Sequence, residues 1–182
     1  VISLDKTRQK KIHSRSIHTA VYEGGPDTII VEGSLKDERH LDSYLPTGEM
    51  RPPYTVHHMI IRMELQIPEL VIVDVAVEMP TAPHAVCQEV RECLTPIKGM
   101  RIAAGFTSRV RKLVGRETGC THLQELLAAM APAVFQGAWS ARIRKPIDPE
   151  VYAGMLEKLK NSCWAWRDDG PWAAKGVRTT RK

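Results

Sequence analysis

Cysteine is scarce in this chain: four residues in 182, too few and too scattered for a disulfide scaffold. A reducing compartment is therefore the expectation. No apolar run approaches the roughly 18 residues a membrane span needs. No signal-peptide pattern opens the sequence either, so a cytoplasmic protein without membrane contact is expected. There is no GxGxxG and no GKS or GKT, which removes the usual nucleotide-phosphate loops. There is no GxSxG, and hence no sign of a serine-hydrolase elbow. HExxH, CxxC and His-x-His are also missing, so no metal and no cofactor is expected.

Positive charge is present but sits at the ends. Residues 1–15 carry a net +4, residues 142–182 a net +5, and the stretch between them −4. A protein that tracks a phosphate backbone carries its positive charge on the folded surface, so nucleic acid is not an expected partner. Basic ends read instead as solvated tails or as arms packed on a sister subunit, and a homo-oligomer is expected. At 43% apolar and 26% charged, the chain has an ordinary globular mix. One α+β domain over residues 1–145 is expected, with an appended helix and Trp-rich basic tail over 146–182.

The first half reads as strands. Lys11–Tyr22 and Thr28–Leu35 are rich in Ile, Val, Thr and Ser and flank the turn cluster Glu23-Gly24-Gly25-Pro26-Asp27, which predicts a hairpin. The polar stretch Lys36–Tyr54 is long for a connection and is a candidate lid or binding loop. Val56–Ile67 alternates, with His57, Met59, Ile61, Met63, Leu65 and Ile67 on one parity. Leu70–Met79 should be its partner, with Val71, Val73, Val75 and Val77 on one face. An antiparallel sheet of about four strands follows. After Pro80 the period turns helical: His84–Leu94, Thr107–Val114, Thr121–Phe135 and Pro149–Leu159 predict about four helices packed on the sheet. Pro132 should kink or end the third.

Several polar residues stand where chemistry is possible. Thr121-His122-Leu123-Gln124 fits a capping box, with Thr121 at the N-cap, His122 at the first helical position and Glu125 one turn on. A helix N-terminus lowers a histidine's pKa, favours a thiolate at Cys120 and attracts an oxyanion. The same residues also suffice as a plain cap on a core helix. His57 lies on an inward parity, where it is either a core histidine bonded to backbone or part of a site. His13 and Arg15 share one face of the first strand; they can grip a carboxylate or phenolate, or simply charge an edge strand. Tyr54 ends the long polar stretch, where a phenol can meet a ligand. Trp164, Trp166 and Trp172 can cover an aromatic ligand or a subunit interface, and the subunit reading is preferred.

The ordered series His13-Ser14-Arg15-Ser16-Ile17, Val31-Glu32-Gly33, Val56-His57-His58-Met59-Ile60-Ile61-Arg62, Gly99-Met100-Arg101-Ile102, Gly119–Leu127 and Phe135-Gln136 resembles a bacterial family catalogued as a domain of unknown function. It spans about residues 11–137. The chain departs from the pattern at His58, where Asp is commoner. The resemblance implies a cytoplasmic bacterial protein, and similar proteins are associated with bacteria that degrade aromatic compounds. It carries over His13, Arg15, His57, Arg62, Thr121, His122 and Glu125 as motif residues.

The leading expectation is a cofactor-independent enzyme performing acid/base catalysis on an aromatic or phenolic small molecule, a lyase in aromatic catabolism. Its catalytic set is His122, His57, Arg15 and Glu125. Its substrate-binding set is His13, Tyr54, Arg62, Thr121 and Cys120. The alternatives are a non-catalytic small-molecule-binding or accessory protein, and an acyl-thioester hydrolase using Cys120 or a water activated by Glu125.

Overall fold

A computed structural model describes residues 10–157 and 159–170. The chain divides into two compact units, Val1–Trp139 and Ser140–Lys182. The first is α+β, as its patterning predicts. Four long strands form one antiparallel sheet: β1 (His13–Glu23), β2 (Thr28–Arg39), β5 (Tyr54–Gln66) and β6 (Val71–Thr81), in the order β1-β2-β5-β6. The connection between β2 and β5 folds into a small hairpin of its own, β3 (Ser43–Tyr44) with β4 (Met50–Arg51). Then come a 3-10 stretch (Ala85–Ile97), helix α1 (Phe106–Val114), a short 3-10 turn (Arg116–Thr118) and helix α2 (Thr121–Arg142). Among the described residues no helix is long and apolar enough to cross a membrane.

Alternation sets which face is dry. On β2, Ile29, Val31, Gly33 and Leu35 are buried while their neighbours are half exposed, and on β5 the buried set is Met59, Ile61, Met63 and Leu65. The ladder pairs these residues directly, Leu35 with Met59 and Val31 with Met63. α2 lies across them, burying Leu123, Leu126, Leu127, Met130 and Val134. The helix comes so close at Gly33 that a Cβ there would stand 2.5 Å from the Met130 sulfur. Glycine is what lets the helix settle on the strand.

Four local expectations are corrected. α2 runs through Pro132 to Arg142 rather than ending near it. A proline inside a helix costs about 3 kcal/mol. Each fully buried Leu, Met or Val contributes roughly 1.5–3 kcal/mol, so the buried face outweighs the lost bond. The stretch after Pro83 is 3-10 rather than α-helical; its half-buried residues Cys87, Val90 and Cys93 stand three apart, the period of that helix. The valines of β6 do not share one face. A bulge there leaves Val73 49% exposed and puts Ile72 in the core, while Val75 and Val77 pair with the core residues Met63 and Ile61. Finally, β2 extends past Leu35 to Arg39, so part of the expected loop is strand.

In the second unit, α3 (Pro149–Glu157) begins at a proline, and the Asp148 carboxylate accepts the N–H groups of Glu150 and Val151 at 2.9 and 3.3 Å. Trp164 is 80% exposed and carries the Arg167 guanidinium 3.7 Å from its ring centre. Trp172 lies outside the described residues.

Candidate functional site

The four extra residues of β2 change the chemistry. Asp37 continues the inward parity of Ile29, Val31, Gly33 and Leu35, and it is the buried charged residue of the described chain, 3% exposed. The ladder sets Arg15 opposite it on β1 and His57 opposite it on β5. Three polar side chains thus form one row across three strands, at the end of the sheet where the apolar rows stop.

Contacts in this row are tight. Arg15 donates Nε–H to Asp37 Oδ1 at 2.7 Å and Nη2–H to Oδ2 at 2.8 Å, a bidentate fork. His57 donates Nδ1–H to Asp37 Oδ2 at 3.0 Å. The guanidinium beside Asp37 holds its carboxyl below the usual carboxylate range, against the opposing effect of burial. Asp37 in turn raises the pKa of Arg15. An ionised carboxylate only accepts, so it fixes the His57 tautomer: the proton is on Nδ1 and the lone pair on Nε2.

The N-terminus of α2 closes the row from above. The His122 ring stacks on the His57 ring, with centroids 3.9 Å apart. Its Nε2 lies 3.7 Å from Asp37 Oδ2, and Cys120 Sγ lies 3.8 Å from its Nδ1. Burial pushes the His122 pKa down, and repulsion from His57 and Arg15 adds to this. The direction is that expected of a helix start, but desolvation is the main cause. Glu125, one turn on, accepts an Arg15 Nη1–H at 2.5 Å. The turn into the helix is close-packed, since a Cβ on Gly119 would stand 2.4 Å from the Val114 carbonyl oxygen.

Six of the nine residues expected from sequence therefore meet: His13 (Nε2 3.6 Å from Asp37 Oδ1), Arg15, His57, Cys120, His122 and Glu125. Arg15 forks onto Asp37 and also donates to Glu125, so these two expected residues are ion-paired to each other across β1 and α2. Thr121 is the first residue of the helix and not its cap: the Cys120 carbonyl accepts the Gln124 N–H at 3.0 Å, which moves His122 one place into the helix. Tyr54 stands one row away. Val56 is an extra residue in β5, so Tyr54 pairs with Arg39 and joins the face of His57 although their parities differ. Arg62 is not at the site. It lies on the opposite face, bonded to Glu32 at 2.6 Å and to Glu78, because the even-numbered residues of that strand after the bulge face away from α2.

Asp37 itself escapes the sequence reading. The alternation of Thr28–Leu35, continued two residues, points it inward, but the polar run from Lys36 resembles a loop.

One oxygen of Asp37 and one nitrogen each of His57 and His122 lie within 4.8 Å of one another, a spacing that a metal ion could bridge. Against this, both Asp37 oxygens already accept from Arg15, whose positive charge adjoins the position. As it stands, the donor set is an ion-paired carboxylate orienting an imidazole.

The fold and site define a class: an α+β protein with a buried carboxylate–histidine pair under a helix start. The chain belongs to the family described as "Protein of unknown function (DUF2889)", which it matches over residues 13–136. No curated protein and no solved structure matches it.

Proposed function

We propose that this protein is a cofactor-independent enzyme performing acid/base catalysis on an aromatic or phenolic small molecule, a lyase that expels a fragment from a phenol. The observation that carries the reading is the Asp37–His57 pair with the His122 ring stacked on it at 3.9 Å. Asp37 holds Nδ1–H, so His57 Nε2 is the base, and the carboxylate stabilises the imidazolium once it forms. A neutral His122 matters because two stacked imidazolium rings repel, and burial lowers its pKa toward that neutral form.

In the reaction, His57 Nε2 takes the phenolic proton. The oxygen electron pair moves through the ring, and the bond to the side-chain fragment breaks. The fragment leaves with the bonding pair and receives the proton back from His57. A quinone-methide-like product forms, so charge and protons balance without an added redox partner.

The test is turnover of a panel of phenolic dimers by the wild type, with acyl thioesters alongside. Turnover of a phenol that collapses in His57→Gln supports the reading. Turnover of thioesters alone, lost in Cys120→Ser, would replace it with the hydrolase, which the Cys120–His122 contact favours. Binding without turnover would leave a binding protein.

A further inference from the structure

We propose that Arg39 and Arg51, converging on the Tyr54 ring, form an anion-holding subsite that anchors a carboxylate on the substrate. The inference deepens the proposed function and rests on it for the direction of the substrate. The row next to Arg15–Asp37–His57 is His13–Arg39–Tyr54, on the same face of the sheet. Two guanidinium groups from different elements adjoin the Tyr54 ring there: Arg39 from β2 lies 5.6 Å from the ring centre, and Arg51 from β4 lies 6.0 Å from it. Arg15 and Arg62 are each held by two carboxylates. Arg39 and Arg51 have no carboxylate within ion-pair distance among the described residues. The ring's face offsets only part of each guanidinium charge. An anion reached by both groups would neutralise the rest.

The spacing gives the subsite a purpose. Same-face rows along a strand lie about 7 Å apart, two residues at about 3.3–3.4 Å each. A single benzene ring substituted at both ends spans that distance. A carboxylate on Arg39 and Arg51 would hold the ring along Tyr54 and deliver its far oxygen to His57. The ligand class is therefore a phenol bearing a carboxylate. The anchor falls to these two arginines because the Arg15 fork is already filled.

Calorimetric titration of the full chain with 4-hydroxybenzoate and with its methyl ester tests this. The wild type should bind the acid about tenfold more tightly than the ester, the usual scale for a charge-assisted contact. Raised salt should shrink the preference. The Arg39→Ala/Arg51→Ala double variant should bind both alike, with ester affinity changed less than about twofold. Both side chains are exposed, so folding should survive, and Arg39→Gln with Arg51→Gln provides a milder pair. Equal affinity of the wild type for the two probes, binding of neither, or a preference that survives the double substitution each overturns the proposal. Failure of the catalytic reading looks different: turnover is absent while the acid-over-ester preference persists, in the wild type and in His57→Gln alike.

Discussion

Asp37 stands directly across the β1–β2 ladder from Arg15, and both of its oxygens accept from that one guanidinium. A carboxylate on the apolar face of a sheet is tolerable only on such terms, because an unpaired buried charge is far costlier than any packing gain. The pair also fixes the direction of the third member of the row, His57. Stability and chemistry thus share one residue.

Asp37→Asn should separate the two. Asparagine keeps the shape but loses the charge and half the acceptor capacity. Arg15 retains Glu125, so the expected destabilisation is about 1–3 kcal/mol by urea denaturation. Activity should fall further, by roughly 10²–10⁴ in kcat/KM, because the imidazole loses its orienting partner. Equal kcat/KM in Asp37→Asn and wild type would mean that His57 needs no partner and is not the base.

His57→Gln and His122→Gln should act as a unit. Each alone is expected to cost roughly 10²–10⁴ in kcat/KM. The double variant should be scarcely worse than the poorer single one, since the second change removes a group already idle. Strict multiplication of the two losses would show that the stacked rings work independently.

The pH dependence has two windows. His122 has a lowered pKa, so below the ordinary histidine value of about 6.5 the unfolded chain binds a proton that the native ring resists. Stability is complete above that pH and declines as pH falls toward the lowered native value. Asp37 also has a lowered pKa, and its contribution is present above about pH 3.9 and lost as pH falls through its native value. Urea midpoints measured from pH 8 to pH 3 should drop first below about pH 6.5 and again below about pH 4. The His122→Gln variant should lose the first drop and keep the second.

Arg62→Ala should change little. Its ion pairs with Glu32 and Glu78 are on the exposed face, away from the site, and pairs of that kind contribute about 0–1 kcal/mol. Turnover should match the wild type. A hundredfold loss would place part of the site on the other side of the sheet.

Chelation should leave activity intact under the acid/base reading. Incubation with a strong chelator, with metal content measured before and after, checks this directly. Activity lost on chelation and restored by one divalent ion, with that ion absent from Asp37→Asn, would instead assign Asp37, His57 and His122 as ligands.

Much of the architecture was written in the pattern of the chain. The period-2 runs of β2 and β5 and the Leu-rich face of α2 each bury an apolar stripe, and hydrophobic burial makes such stripes readable residue by residue. The inward parity of His57 and the helix start before His122 were legible for the same reason. What the tertiary structure alone decided was register. Pairing sets Arg15, Asp37 and His57 in one row although 22 and 20 residues separate Asp37 from its partners along the chain. A bulge at Val56 swings Tyr54 to their side, and the docking of α2 drops His122 onto His57. Local periodicity reports which face a side chain takes. Which residues meet across that face depends on ladder alignment and helix placement, and those are fixed only when the whole sheet closes on its core.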